Sequence, residues 1–234
     1  MTNWAQLDRT VTQNADFFGP MMERILADVI RTLDVPHFAR WPQTKIEAAL
    51  QELWVMGELS LRQVIPKGMV ACHRGCSFCC LSEHPHVTEL ELWPVVSATI
   101  TSPRLVNAVK KAAKRRLRLP KKQRDFDNAP CPLLHGRECS IYSARPLQCR
   151  AWTSTSAWAC EHDRSRVVYI GLVKVLYSSL QGFLMEACRR SKLQAAPGGL
   201  DFVLGLEAAL KPGAFQRWQS GERLTRGSRF AARA

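Results

Sequence analysis

Cys72-His73-Arg74-Gly75-Cys76-Ser77-Phe78-Cys79-Cys80 places four cysteines within nine residues. Thiols this dense either pair as disulfides or hold a metal, and the redox compartment decides between them. Three more cysteines form a second block, Cys131, Cys139 and Cys149, with Cys160 just beyond. In a helical turn, residues three and four apart share a face. Cys72, Cys76 and either Cys79 or Cys80 can therefore converge on one point. Gly75 offers a second route, a backbone free to wrap around an ion. Either geometry supplies three thiolates locally, and the second block is the obvious source of a fourth. Cys79 and Cys80 are neighbours whose side chains ordinarily diverge. The pair is expected to serve a cluster or two metals, or to leave one thiol simply buried.

The rest of the chain bears on which of these holds. Its 234 residues suffice for one large domain or a domain with extensions, and 46% are hydrophobic. A core of that size forms without covalent staples. Met1 to Asp16 is polar and mixed, without the basic and apolar regions of a signal peptide. The cytoplasm is the expected compartment, and thiols stay reduced there. Nine cysteines is also an odd number, which suits a disulfide framework poorly. Metal binding is thus expected ahead of disulfides or free redox thiols. Val167 to Met185 is largely apolar, but Lys174, Ser178, Ser179 and Gln181 interrupt it. A spanning helix needs ~20 mostly apolar residues, so this run reads as a core helix and no membrane partner is expected.

Helical periodicity dominates, and strand signals are scarce, so the expected fold is mainly α, a helical domain with irregular cysteine-rich, metal-organised loops. Met22, Ile25, Leu26, Val29, Ile30 and Leu33 recur at helical spacing until Pro36. Ile46, Ala49, Leu50, Leu53 and Trp54 mark a helix over about Thr44 to Val64, stopped by Pro66 and Gly68. Thr88 followed by Glu91 is a capping-box pattern opening a helix to about Ile100. Ser102 and Pro103 open another that ends near Leu119. Asp125 to Arg150, rich in Pro, Gly, Cys and Asn, reads as irregular backbone. Helix returns at about Arg164 to Arg190, breaks at Ala195 to Gly199, resumes over Leu200 to Leu210, and ends in a short element holding Phe215 and Trp218. The expected organisation is an N-terminal helical region (1–66), a cysteine-cluster metal-binding region (67–163), C-terminal helices packing on it (164–224) and a disordered basic tail (225–234).

The ligand pool of the cysteine-cluster region is Cys72, Cys76, Cys79, Cys80, Cys131, Cys139, Cys149 and Cys160. Such a soft, sulfur-rich set excludes magnesium and calcium and favours zinc or an iron–sulfur cluster. Both commonly take four ligands. Eight cysteines therefore make two four-ligand sites, or one site with structural thiols left over. Cys188 lies in a helical stretch far from both blocks and reads as core, as do Met21 and Met22. His73, His84, His86, His135 and His162 lie near cysteines. Histidine can replace cysteine at such centres, and His84 and His162 are the better placed, but a loop histidine is more often just exposed.

These residues resemble the YkgJ-type cysteine-cluster family, described as chelators of zinc or iron. The family's first block reads Cys-x-x-Cys-x-x-Cys-Cys, and Cys72, Cys76, Cys79 and Cys80 match it with one extra residue in the first gap. The second block is a closer match: Cys131-Pro132-Leu133-Leu134, Cys139-Ser140-Ile141-Tyr142, and Arg145-Pro146-Leu147-Gln148-Cys149-Arg150. The resemblance covers about Cys72 to Cys160. It implies metal chelation without an assigned reaction. A related class, the flagellin lysine N-methylases, carries a similar motif, so the resemblance also permits an iron–sulfur-dependent enzyme using S-adenosylmethionine. No Gly-x-Gly nucleotide fingerprint accompanies it. Whether the chain is an enzyme stays open. Of the matched residues, Tyr142, Arg145 and Arg150 are more readily explained by loop carbonyls and thiolate charge than by catalysis. Pro146 is expected to fix the turn that aims Cys149.

The net charge of +13 is concentrated in Lys110, Lys111, Lys114, Arg115, Arg116, Arg118, Lys121, Lys122 and Arg124, with more in the tail. Such a helix is usually a solvated face, but it admits a polyanion or acidic partner. Trp93, Trp152 and Trp158 could stack on bases, although buried aromatics are commoner. A zinc-stabilised nucleic-acid-binding module is therefore a third reading, beside the metal-binding protein and the enzyme.

Overall fold

A computed structural model describes residues 38–81, 84–196 and 198–225. The helix expected over Met22 to Leu33, Met21, Pro36 and nearly all of the basic tail lie outside the described residues. Among the described residues the fold is mainly α, with eight helices and two minimal two-stranded sheets.

Helix α1 spans Gln43–Val64 and buries Ile46, Ala49, Leu50, Leu53, Trp54 and Leu61, an apolar stripe at three- and four-residue spacing. It stops ahead of Pro66, because the ring of a proline disfavours helical geometry in the residue before it. Helix α2, Glu89–Ile100, begins with the expected capping box. The Glu91 amide donates to Thr88 Oγ1 at 3.3 Å, and the Thr88 amide donates to Glu91 Oε2 at 2.8 Å. Caps of this kind contribute about 1 kcal/mol. Leu90, Leu92, Trp93, Val95 and Val96 are all buried, so α2 is covered on nearly every side.

Helix α3, Pro103–Arg118, is capped by Ser102 and buries Leu105, Val109, Ala113 and Arg116. One member of the basic run is therefore structural. Arg116 donates from Nε to Asp201 Oδ2 at 2.9 Å and pairs with Asp127 at 3.4 Å. Arg115 also engages Asp127, donating to Oδ1 at 2.7 Å. Lys110, Lys111, Lys114 and Arg118 face solvent.

The stretch from Asp125 to Arg150 holds more regular structure than its composition suggests. Strands β2 (Leu134–His135) and β3 (Glu138–Cys139) form a hairpin around Gly136 and Arg137, with Leu134 opposite Cys139. A short helix α4 covers Leu147–Ala151, and α5 covers Ala157–His162. The long helix expected from Arg164 begins later: α6 spans Gly171–Arg190. Residues 167–170 are extended instead. The Thr155 amide donates to Val168 O at 3.3 Å and the Ile170 amide to Thr153 O at 2.8 Å. Val167, Val168 and Ile170 are β-branched and suit that conformation. Val173, Leu176, Leu180, Leu184 and Cys188 form the buried face of α6, so Cys188 is a core residue as expected.

After the break at 195–199, strand β4 (Leu200–Asp201) pairs antiparallel with β1 (His86–Val87), Val87 opposite Leu200. Gly199 has φ +84°, and a Cβ there would stand 3.1 Å from the carbonyl oxygen of Val87, so the approach requires glycine. Helix α7 (Phe202–Ala209) and helix α8 (Ala214–Gln219) follow. Helix α7 packs on α2 and α3, α1 packs on α2 and α6, and α4 lies along α6. The Trp93 ring meets Phe215 edge-on at 5.0 Å and Trp218 at 5.3 Å. No helix of the described residues is long and apolar enough to cross a membrane.

Candidate metal centre

The first cysteine block is a loop, with a single 3-10 turn only at Cys79–Leu81. Gly75 at φ +91° and the Cys76 amide bonded to His73 O at 3.0 Å wrap the chain back on itself. Of the two routes open to the sequence, the wrapped loop is the one taken. Backbone bonds fix this loop to the second block. The Cys131 amide donates to Cys80 O at 2.7 Å, and the Ala71 amide donates to Ser154 O at 2.9 Å. In the second block the Leu134 amide bonds back to Cys131 O at 3.0 Å, and Cys139 sits on β3 of the hairpin. Pro146 immediately precedes α4, which carries Cys149. Its carbonyl accepts the Arg150 amide at 3.2 Å, in keeping with a proline that sets where the helix starts.

Six cysteines from these segments, Cys76, Cys79, Cys80, Cys131, Cys139 and Cys149, border one cavity of about 40 Å³. Leu133, Ile141 and Phe202 close its apolar side. Adjacent side chains ordinarily diverge, yet Cys79 and Cys80 both border this cavity. Cys72 lies outside it. Its sulfur accepts from the Ser154 amide at 3.2 Å. Cys160, on α5, borders neither this cavity nor the larger cleft beside it, but it stands close enough to Cys72 to repel a thiolate there. All eight are free and half-buried, whereas Cys188 is fully buried.

Five of these thiols, Cys72, Cys79, Cys131, Cys139 and Cys149, are shifted toward the protonated form. Burial pushes Cys131 up to about 12 and Cys149 well above the usual thiol range, and burial also raises Cys139 and Cys72. Cys79 is raised first by its hydrogen bond with Cys80, then by burial. Neighbouring thiolates add to the rise at each of these, and Arg145 opposes it at Cys79, Cys139 and Cys149. A buried group of thiols that cannot ionise together is stable as thiolates only with a cation among them. Among the described residues, no group of three or more Cys, His, Asp or Glu side chains is arranged around a point that could hold a metal ion. The donor chemistry nevertheless suits a soft metal, since every side chain bordering the small cavity that can offer a metal a lone pair, the Tyr142 hydroxyl apart, is a thiol.

The two arginines of the second block hold the loop. Arg150 is buried, donating from Nε to Arg145 O at 2.9 Å and from Nη2 to Ser143 O at 2.7 Å, with Glu58 as its ion partner. Arg145 donates from Nε to Tyr142 O at 3.2 Å, and its guanidinium lies 3.8 Å from the centre of the Tyr142 ring. None of the five histidines borders the small cavity, and only His73 borders the cleft. His84 binds the carbonyl of Asp127. His162 bonds to Trp158 O at 3.1 Å and stacks on that ring. His135 lies against Arg104. Trp93 is buried, Trp158 is exposed, and Trp152 borders both cavities.

Glu91 is a supporting residue that the sequence marked only as a cap. Its second oxygen, Oε1, accepts the Leu147 amide at 2.7 Å, so the N-terminus of α4, and with it Cys149, is anchored to α2. The capping-box pattern found the residue; nothing local to it signals a partner 56 positions away.

Neither the curated proteins nor the solved structures contain a match to this chain. A family model does match, over a segment that holds all eight cysteines of the two blocks and leaves Cys188 out. Residues 71–166 match the CxxCxxCC family, whose description reads "Putative zinc- or iron-chelating domain".

Proposed function

We propose that this protein binds zinc or iron through cysteine thiolates, at an inner centre drawn from Cys76, Cys79, Cys80, Cys131, Cys139 and Cys149. Cys72 and Cys160 form an outer pair beside it. The observation that carries the reading is the single 40 Å³ cavity bordered by six thiols from three separate stretches of chain. A bound ion supplies the positive charge that lets these thiols ionise, so uptake releases protons and strengthens as pH rises. Arg145 assists by lowering the cost of ionising Cys79, Cys139 and Cys149. Glu91 and Pro146 hold Cys149 in place. Metal analysis of protein purified without oxygen tests this, and visible absorption separates an iron–sulfur cluster from zinc. Cys76→Ser and Cys149→Ser each lower metal content and thermal stability together; unchanged metal content in both variants would overturn the reading.

A second reading concerns partners. The exposed face of α3 presents Lys110, Lys111, Lys114 and Arg118 without a carboxylate partner among the described residues. This supports contact with a polyanion such as nucleic acid. Gel shifts across a salt series check it, because phosphate contacts give a steep salt slope; no shift at low salt removes it.

A further inference from the structure

Beside the thiol cavity lies an open cleft of about 520 Å³, far too large for an ion. Small-molecule sites usually measure roughly 300–1,000 Å³ and combine apolar walls with a few converging polar groups. The two cavities share Cys76, Cys79, Cys149, Tyr142, Arg145 and Trp152, so the cleft floor is the outer surface of the cysteine cluster. Its apolar wall is Leu61, Ile65, Val70, Trp152 and Val173. Its charged groups are Arg62, Lys67, Arg145 and Arg150 against one carboxylate, Glu58. That carboxylate is already taken by Arg150. Arg62 and Lys67 are exposed, and neither has a carboxylate partner among the described residues. Arg145 spends its Nε on Tyr142 O, and its two terminal nitrogens have no hydrogen-bond partner among the described residues.

We propose that this cleft binds a small organic anion, a phosphate ester or carboxylate with an apolar body. The acid group meets Arg62, Lys67 and Arg145, and the body lies along Val70, Trp152 and Val173. The planar fork of Arg145 suits two anionic oxygens at once, and its stacking on Tyr142 keeps it in place for them. The ligand would then rest directly over Cys72 and Cys76. The site shares cysteines with the metal centre proposed above but does not require the metal.

Calorimetric titration of the full-length protein as purified, with metal content measured on the same sample, tests the cleft. The probes are phenyl phosphate, benzoate and inorganic pyrophosphate. Phenyl phosphate or benzoate binds saturably, and whichever is tighter identifies the acid group. The double variant Arg62→Gln, Lys67→Gln, which alters only exposed positions, weakens that binding at least tenfold at low salt and leaves metal content unchanged. Arg145→Gln weakens it further. No heat from either organic probe, equal affinity in the double variant, or pyrophosphate binding as tightly as phenyl phosphate would each overturn the proposal. Protein purified without oxygen that holds no metal yet binds the probe sinks the metal reading alone, and fully metallated protein that binds neither organic probe sinks this one alone.

Discussion

The α2–α7–α8 region and the first cysteine loop are held together by different physics. Nine of the twelve residues of α2 are buried, and Trp93 sits between Phe215 and Trp218. Between Ile65 and His84, by contrast, Ser77 is the only described residue that is fully buried. The loop is fixed by a few backbone bonds to residues 131 and 154, and its thiols border one cavity with those of the second block. Apolar burial contributes roughly 25 cal/mol per Å² and needs no cofactor. A loop with almost nothing buried draws its order from polar links, and the metal proposed above would be the strongest of them.

Removing the metal should break this contrast most visibly. Structural zinc in small peptides contributes on the order of 10 kcal/mol. Treatment with a chelator is expected to abolish amide-exchange protection across 71–81 and 131–140 while α2 and α7 keep theirs. Uniform loss across the chain would mean that the two regions are not separable in this way. Next in size is Trp93→Ala, expected to cost about 3–5 kcal/mol in denaturant titrations through the cavity it leaves. That cost should be the same with and without metal; a cost seen only in the metallated protein would tie α2 to the cluster more tightly than described.

The smallest effect expected is a pH dependence confined to the apolar side. Burial pushes Glu89 from the ordinary 4.5 up to about 7. Its Oε1 accepts the Ala196 amide at 2.9 Å, while Oε2 has no partner among the described residues, as suits an oxygen carrying a proton. A raised acid binds its proton more tightly in the folded state. Its contribution is therefore complete below about pH 4.5 and is lost as pH rises through about 7. Glu89→Gln should flatten that slope and leave the protein up to about 3 kcal/mol more stable than the parent at pH 8. Urea midpoints measured from pH 5 to 8 check this, and parallel curves for the two proteins would refute it.

The same contrast separates what was legible in the sequence from what was not. Helices α1, α2 and α3 could be read because their signals are local: the Ile46–Trp54 stripe, the Thr88–Glu91 box, and Ser102 ahead of Pro103. The resemblance to a cysteine-cluster family was likewise legible in local spacings around Cys131, Cys139 and Cys149. Long-range relations carried no such signal. The extended course of 167–170 depends on residues 153–155, and local helical periodicity continued straight through it. The pairing of Val87 with Leu200 spans more than half the described chain. The division of eight cysteines into six that border the cavity and two that do not goes with the loop wrapped at Gly75, the hairpin around Gly136 and Glu91 anchoring Leu147. Each of these is a tertiary choice among several that the same local sequence permits.

The antiparallel pairing of His86–Val87 with Leu200–Asp201 bears on how this protein can be divided. The segment matching the chelating family ends at 166, yet the strand that pairs with its His86 and Val87, the aspartate that receives its Arg116, and the rings that cover its Trp93 all come from 200–218. Cut out alone, residues 71–166 would leave a tryptophan uncovered and a buried arginine without one of its carboxylates. The boundaries of the cysteine pattern are thus not the boundaries of a folding unit, and the helices beyond it complete the core on which the cysteine loops are carried.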